Sequence, residues 1–171
     1  MHIHNGYLKL GVRKFYEENS ENYSNPHAIF VKECLKRLAL DPKLKVLDVG
    51  CGDGLVTKIL KHYKTTDLMG VDKYMAQRYR KETGFPCLEN SFEEIARGVV
   101  DLGKHDVAIC SYMVDIIPNG YEAGFFWHLA EATKTIVTIR PNNHELDYRW
   151  LKLEESFRLG KSCLKRYSVN P

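Results

Sequence analysis

The stretch Asp48-Val49-Gly50-Cys51-Gly52-Asp53-Gly54 constrains this chain more than any other. The run Lys45-Val46-Leu47 leads into it, and an amphipathic segment, Leu55-Val56-Thr57-Lys58-Ile59-Leu60, leads out. That order predicts a strand, a glycine-rich turn and a helix. Such a turn lets backbone N–H groups and a helix N-terminus approach a ligand that a side chain would hold off. The spacing is G-x-G-x-G, with Leu55 where the dinucleotide fingerprint G-x-G-x-x-G needs its last glycine, and this counts against a nicotinamide dinucleotide. A second cue follows in Asp67-Leu68-Met69-Gly70-Val71-Asp72, which reads as a strand ending in an acid. A carboxylate there is suited to accept hydrogen bonds from a pair of ribose hydroxyls.

With 171 residues the chain has room for one domain with a full core, and too few residues for two ordinary ones. Its 44% hydrophobic and 27% charged content is that of a globular protein. Apolar runs such as Ala123 to Ala130 fall short of a membrane span. Met1-His2-Ile3-His4-Asn5-Gly6 lacks a basic region followed by an apolar one, so a cytoplasmic protein is the expectation. The five cysteines (34, 51, 87, 110 and 163) are odd in number and dispersed, without a C-x-x-C pair, and no metal site is expected. Charge is unevenly spread. Residues 1–45 carry eight Lys/Arg against five acids, net +3, and residues 144–171 carry six against four, net +2. The stretch between them carries eleven against thirteen, net −2. Basic ends of this kind can steer a polyanion or simply solvate a surface.

Periodicity predicts helices over Gly11–Asn19 and Ala28–Ala39, broken at Ser24-Asn25-Pro26. From Val46 strands and helices alternate. Strands are expected at Val46–Val49, Leu68–Asp72, Cys87–Glu89, Asp106–Ser111 and Thr135–Ile139. Helices are expected at Leu55–Tyr63, Met75–Thr83, Phe92–Leu102, Gly120–Lys134 and His144–Leu159. Apolar strands alternating with amphipathic helices imply a parallel sheet covered on both faces, and right-handed crossovers make it doubly wound and Rossmann-like. The whole chain reads as one domain: an N-terminal helical extension over 1–44, a ligand-binding core over 45–160 and a short C-terminal strand within 161–171.

Asp48 before the three alternating glycines, with Asp72 closing the second strand, resembles the first two motifs of the class I S-adenosylmethionine (SAM) dependent methyltransferases. The resemblance covers about residues 12–160. It implies that Gly50, Cys51, Gly52 and Gly54 pass under the methionine part of SAM, with Asp48 orienting the turn and the amine. Asp72 would hold the ribose, and Lys73 and Tyr74 would flank the adenine. Asn90, Ser91 and Phe92 stand where such enzymes contact the adenine, although Asn90 and Ser91 serve equally as a plain helix cap. Ser111 would border the methyl-donor pocket, and Tyr16 and Tyr23 would close over the sulfonium, since aromatic faces attract cations. Family members usually end in an antiparallel pair that makes seven strands. Only Lys161 to Pro171 follow Gly160 here, so the sheet is expected to be short by a strand at its C-terminal edge.

On the acceptor side, the resemblance points to Cys110–Pro118 after the fourth strand and to Arg140, Asn142, Asn143 and His144 after the fifth. Asp115, Arg140 and His144 are the candidate catalytic residues, each with an ordinary alternative as a loop, cap or surface group. Neither the Asn/Asp-Pro-Pro-Tyr/Phe motif of amino-group DNA methylation nor the Pro-Cys nucleophile of cytosine methylation occurs in this segment. The implied chemistry is in-line methyl transfer from SAM to an O, N or S nucleophile, with S-adenosyl-L-homocysteine as product. Alignment and desolvation carry such a step without a protein nucleophile. A small-molecule acceptor is preferred, with RNA or another nucleic acid as the runner-up. A different class of reading is a catalytically silent SAM-fold subunit that binds a protein partner at the exposed C-terminal sheet edge.

Overall fold

The computed structural model describes residues 25–170. Helix Gly11–Asn19, Tyr16 and Tyr23 lie outside the described residues. The described chain opens with α1 (Ala28–Leu38) and then alternates: β1 (Val46–Val49), α2 (Leu55–His62), β2 (Leu68–Val71), α3 (Ala76–Thr83), β3 (Cys87–Leu88), α4 (Phe92–Ala96) and β4 (His105–Ser111). A 3₁₀ turn at Val114–Ile116 precedes α5 (Glu122–Ala132), β5 (Thr133–Arg140), β6 (Leu151–Leu159) and β7 (Ser162–Val169). The strands form one seven-stranded sheet in the order β3-β2-β1-β4-β5-β7-β6. β1 to β5 are mutually parallel, and β7 runs antiparallel to both β5 and β6.

The central strands are apolar throughout because both faces are covered, yet successive residues serve different cores. Leu47, Val49, Ala108, Cys110 and Ile136 pack with Phe125, Phe126 and Leu129 of α5. Val46, Val107, Ile109, Val137 and Ile139 face the other way, onto Val31 and Leu35 of α1 and Val56, Ile59 and Leu60 of α2. In α1 the buried Val31, Cys34, Leu35 and Leu38 make the predicted stripe, and Lys32, Lys36 and Arg37 are exposed.

The C-terminal part departs from the sequence-based expectation. Residues 144–159 form no helix: the chain crosses the end of the sheet and enters β6 at Leu151. The sheet is therefore not short at its edge, and the antiparallel pair is complete. Leu146, Trp150, Leu153 and Phe157 match a helical stripe, but Leu151, Leu153, Phe157 and Leu159 also match a strand's alternation. A register shift between Leu153 and Glu155 lets both halves of β6 follow β7, and those pairings decide the outcome. Helix α4 is also shorter than expected, stopping before Gly98, whose φ is +69°.

Gly54 opens α2 with φ +82°, and a Cβ there would lie 2.3 Å from Thr83 Cγ2 of α3. The turn can seat α2 against α3 only without a side chain at that position. Gly54→Ala should lower unfolding free energy by about 2–4 kcal/mol in urea titration, from left-handed strain plus overpacking. Adding Thr83→Ser, which removes the offending methyl, should recover part of the loss. Equal stability of the two variants would show that the methyl contact carries none of it.

Candidate functional site

A cavity of about 200 Å³ opens at the C-terminal ends of the parallel strands, beside the β1/β4 boundary where strand order reverses. Its wall combines the turn after β1 (Asp48, Gly50, Cys51, Gly52 and Asp53), the end of β2 (Asp72, Lys73 and Tyr74) and the β3–α4 junction (Asn90, Ser91 and Phe92). The segment after β4 (Ser111, Tyr112, Met113, Ile116 and Pro118) closes another side, and Asn25 reaches the rim from the start of the described chain.

Asp48 is 2% exposed, in the middle of the sheet. Its Oδ2 accepts hydrogen bonds from the Thr57 amide at 3.2 Å and the Thr57 hydroxyl at 2.8 Å. Because that hydroxyl donates to Asp48, it accepts from the Tyr79 hydroxyl, 2.7 Å away. A Tyr79–Thr57–Asp48 chain thus ties α3 and α2 to β1 beneath the glycine turn. Burial pushes the Asp48 carboxyl up to about 7, with the two Thr57 hydrogen bonds pulling the other way.

Asp72 does more than end β2. Its Oδ2 accepts from the Gly52 amide at 3.0 Å, and its Oδ1 from the amides of Tyr74 at 2.9 Å and Met75 at 3.0 Å. Burial raises its pKa, and the Tyr74, Gly52 and Met75 amides oppose the rise. The turn is also held from below by Val71, whose carbonyl accepts from the Gly50 amide at 2.8 Å. At Gly50 φ is +64°, and a Cβ would lie 2.9 Å from Met113 Cβ, so the turn's backbone itself forms this part of the cavity wall.

At the β3–α4 junction the expected cap is Ser91. It lines the cavity and caps α4: Glu94 N–H donates to its hydroxyl, and the Glu94 carboxylate accepts from its amide. Lys73 pairs loosely with Glu94 at 3.7 Å, and Phe92 sets its edge against Phe125. The Ser111 hydroxyl is buried without a hydrogen-bond partner among the described residues.

Tyr112 and Asn25 also line the cavity, Tyr112 within the Cys110–Pro118 segment to which the resemblance points. Tyr112 holds a left-handed backbone, φ +56°, a strain of about 1–3 kcal/mol that its surroundings must sustain. Its ring stacks on His27 at 4.1 Å and 5°, and its hydroxyl bonds Ser162 at the start of β7. Asn25 accepts from the His27 amide at 2.8 Å, which ties the rim to the same stack. No residue type announces the left-handed turn at Tyr112.

Gly54, Asp115, Arg140 and His144 do not line this cavity. Asp115 pairs with the buried Arg140, and Asn142 Nδ2 donates to the same carboxylate at 3.2 Å. The Asn142 side chain in turn accepts from the amide of the exposed His144. His144 stands on a loop and opens no helix. The loop is fastened to the sheet face by Glu145 with the buried Lys165 at 2.9 Å and by the Leu146 amide with the Tyr167 hydroxyl at 3.1 Å. Among the described residues no group of three or more His, Cys, Asp or Glu could hold a metal ion, and no helix is long and apolar enough to cross a membrane.

No protein-family model matches the chain, and no curated protein matches it in sequence. Solved structures do match. N-methyltransferase NodS from Bradyrhizobium japonicum, in complex with S-adenosyl-L-homocysteine, is 14% identical, with a TM-score of 0.71 over 96% of this chain and 98% of that one. Magnesium protoporphyrin IX methyltransferase from Synechocystis, with bound SAM, is 14% identical, with a TM-score of 0.67 over 98% and 96%. An rRNA methylase from Escherichia coli is 13% identical, with a TM-score of 0.63 over 98% of this chain and 75% of that one. The sheet order, the glycine turn after β1 and these neighbours agree: the chain has the Rossmann-like fold of the class I SAM-dependent methyltransferases.

Proposed function

We propose that this protein is a SAM-dependent methyltransferase that moves a methyl group by in-line displacement to an O, N or S nucleophile. The observation that carries the reading is the cradle after β1, where the backbone of Gly50 and Gly52 meets the buried carboxylate of Asp48 and the half-buried one of Asp72 in one cavity. SAM supplies a methyl group already activated on a sulfonium, so the protein's work is to bind, align and exclude water. In this reading Asp48 faces the cofactor's ammonium, and the third side of the Asp72 carboxylate takes a ribose hydroxyl. Tyr74, Asn90, Ser91 and Phe92 enclose the adenine, with Lys73 on the outer side. Ser111, with its unpaired hydroxyl, borders the methyl group. Asp115, Arg140 and His144 stand outside the cofactor cavity, after β4 and β5, and are assigned to the acceptor. Tyr16 and Tyr23 keep their place in the proposal as the roof.

Gly52→Val should abolish SAM binding in calorimetry, because a branched side chain would enter the ligand's path from a residue at φ +53°. Thermal unfolding of the same variant separates lost binding from lost folding. Asp72→Asn, a milder change, should weaken SAM by about 1–3 kcal/mol, the scale of a charge-assisted hydrogen bond. It should also lower the melting temperature, since the Gly52, Tyr74 and Met75 amides lose a carboxylate partner. Unchanged SAM affinity in both variants would defeat the cofactor assignment.

The Asp48 carboxyl makes a pH prediction. Its folded-state pKa is raised above the unfolded value of about 4, so the fold favours the protonated form. Stability is then fullest below about pH 4 and is lost as pH rises towards 7, by about 3–5 kcal/mol from this group. Asp48→Asn should flatten that part of the stability profile in urea titrations at pH 5 and pH 8. A bound ammonium favours the ionised carboxylate, so SAM binding near pH 6.5 should release protons, measurable as a buffer-dependent heat. A buffer-independent heat would remove Asp48 from the amine's contacts.

A further inference from the structure

We infer that a ridge of exposed cations on α1 and the β6–β7 turn, Lys32, Lys36, Arg37, Arg158 and Lys161, binds the phosphate backbone of a nucleic-acid strand, one nucleotide of which is the methyl acceptor. The acceptor part rests on the methyltransferase reading, whereas the phosphate-binding part stands without it. All five side chains are exposed, and none forms an ion pair among the described residues. Elsewhere nine of the seventeen other Lys and Arg among the described residues are ion-paired: Lys58 and Arg78 share Glu82, Lys134 meets Asp106, Lys152 meets Glu154, and Arg166 meets Glu155, for instance. Helix α1 carries a single acid, Glu33.

The two parts of the ridge form one surface. The Arg37 guanidinium lies over the Phe157 ring of β6 at 4.3 Å. Phe30 of α1 lies so close to Gly160 that a Cβ there would be 2.3 Å from Phe30 Cε1. The ridge also leads to the cavity. Lys161 precedes Ser162, which bonds the Tyr112 hydroxyl, and Tyr112 forms part of the cavity wall. Tyr112 stacks in turn on His27, one residue before α1, and the Arg158 charge bears on the same phenol. A strand held along α1, about 16 Å long, would cross two or three phosphates and arrive at this wall. Ile29 is the one large apolar side chain exposed on α1, which offers little to insert into a lipid surface. The surface therefore favours a nucleic-acid acceptor over the small molecule preferred from sequence.

Fluorescence anisotropy with a labelled 20-nucleotide single-stranded RNA, and with DNA of the same sequence, tests the ridge. Titrations between 50 and 300 mM salt should give an affinity that falls with salt. The triple variant Lys32→Glu, Lys36→Glu, Lys161→Glu should bind at least tenfold more weakly, with a salt slope smaller by about 2. A charge-matched control, Lys64→Glu, Lys104→Glu, Arg149→Glu, should stay within threefold of the natural chain. Tighter binding of either oligonucleotide supports the proposal and identifies the strand. Equal losses in ridge and control variants overturn it, as does a natural chain that binds heparin or phosphatidylserine vesicles but neither oligonucleotide. Calorimetry with SAM on the same preparations keeps the two readings apart. SAM bound without oligonucleotide defeats the ridge alone, and oligonucleotide bound without SAM defeats the methyltransferase reading and the acceptor part that rests on it, leaving phosphate binding in place.

Discussion

A carboxylate buried in the middle of the sheet organises this structure. Asp48 sits where both faces of β1 are covered by apolar side chains, a place that penalises charge. It is tolerated because Thr57 supplies two hydrogen bonds and Tyr79 completes the chain of donors. The arrangement couples three elements: β1 carries the acid, α2 the threonine and α3 the tyrosine. The glycine turn between β1 and α2 is fixed by this coupling from one side and by Asp72 from the other. Its positive-φ residues are thereby held in one geometry, with the backbone presented to the cavity.

The parallel half of the fold was legible because two independent signals coincided there. Apolar runs marked the strands, and glycine or polar punctuation marked each return to the C-terminal edge of the sheet. The antiparallel end was misread because Leu146, Trp150, Leu153 and Phe157 fit a helical period, and the competing alternation was masked by a register shift near Glu154. β6 is settled by its pairing with β7, a non-local interaction that no local window contains. The length of α4 shows the opposite case: Gly98, at φ +69°, ended it early for a local reason legible in the sequence.

Within the site, backbone-facing features were easier to read than side-chain partnerships. The glycines and the acid after β2 were found from spacing, but nothing in that spacing announces that Asp72 clamps three amides of its own chain. Ser91 is the cap expected from sequence, and as the N-cap of a helix at the sheet's edge it also lines the cavity. Asp115 and Arg140, far apart in sequence, meet only because β4 and β5 are neighbours that end at the same level. Tyr112 was expected only as part of the Cys110–Pro118 segment, because its unusual backbone angle is sustained by His27 and Ser162, which no local window contains.

The position of β7 bears on how the chain assembles during synthesis. β6 is made first but has no strand partner until β7 arrives, because β7 inserts between β5 and β6. The parallel core can pair as it emerges, whereas β6 must wait beside an open β5 edge for a segment made later. Lys165 and Tyr167, which fasten the loop before β6, also arrive with β7. The loop between β5 and β6 thus gains these two fastenings only when β7 inserts and closes the sheet.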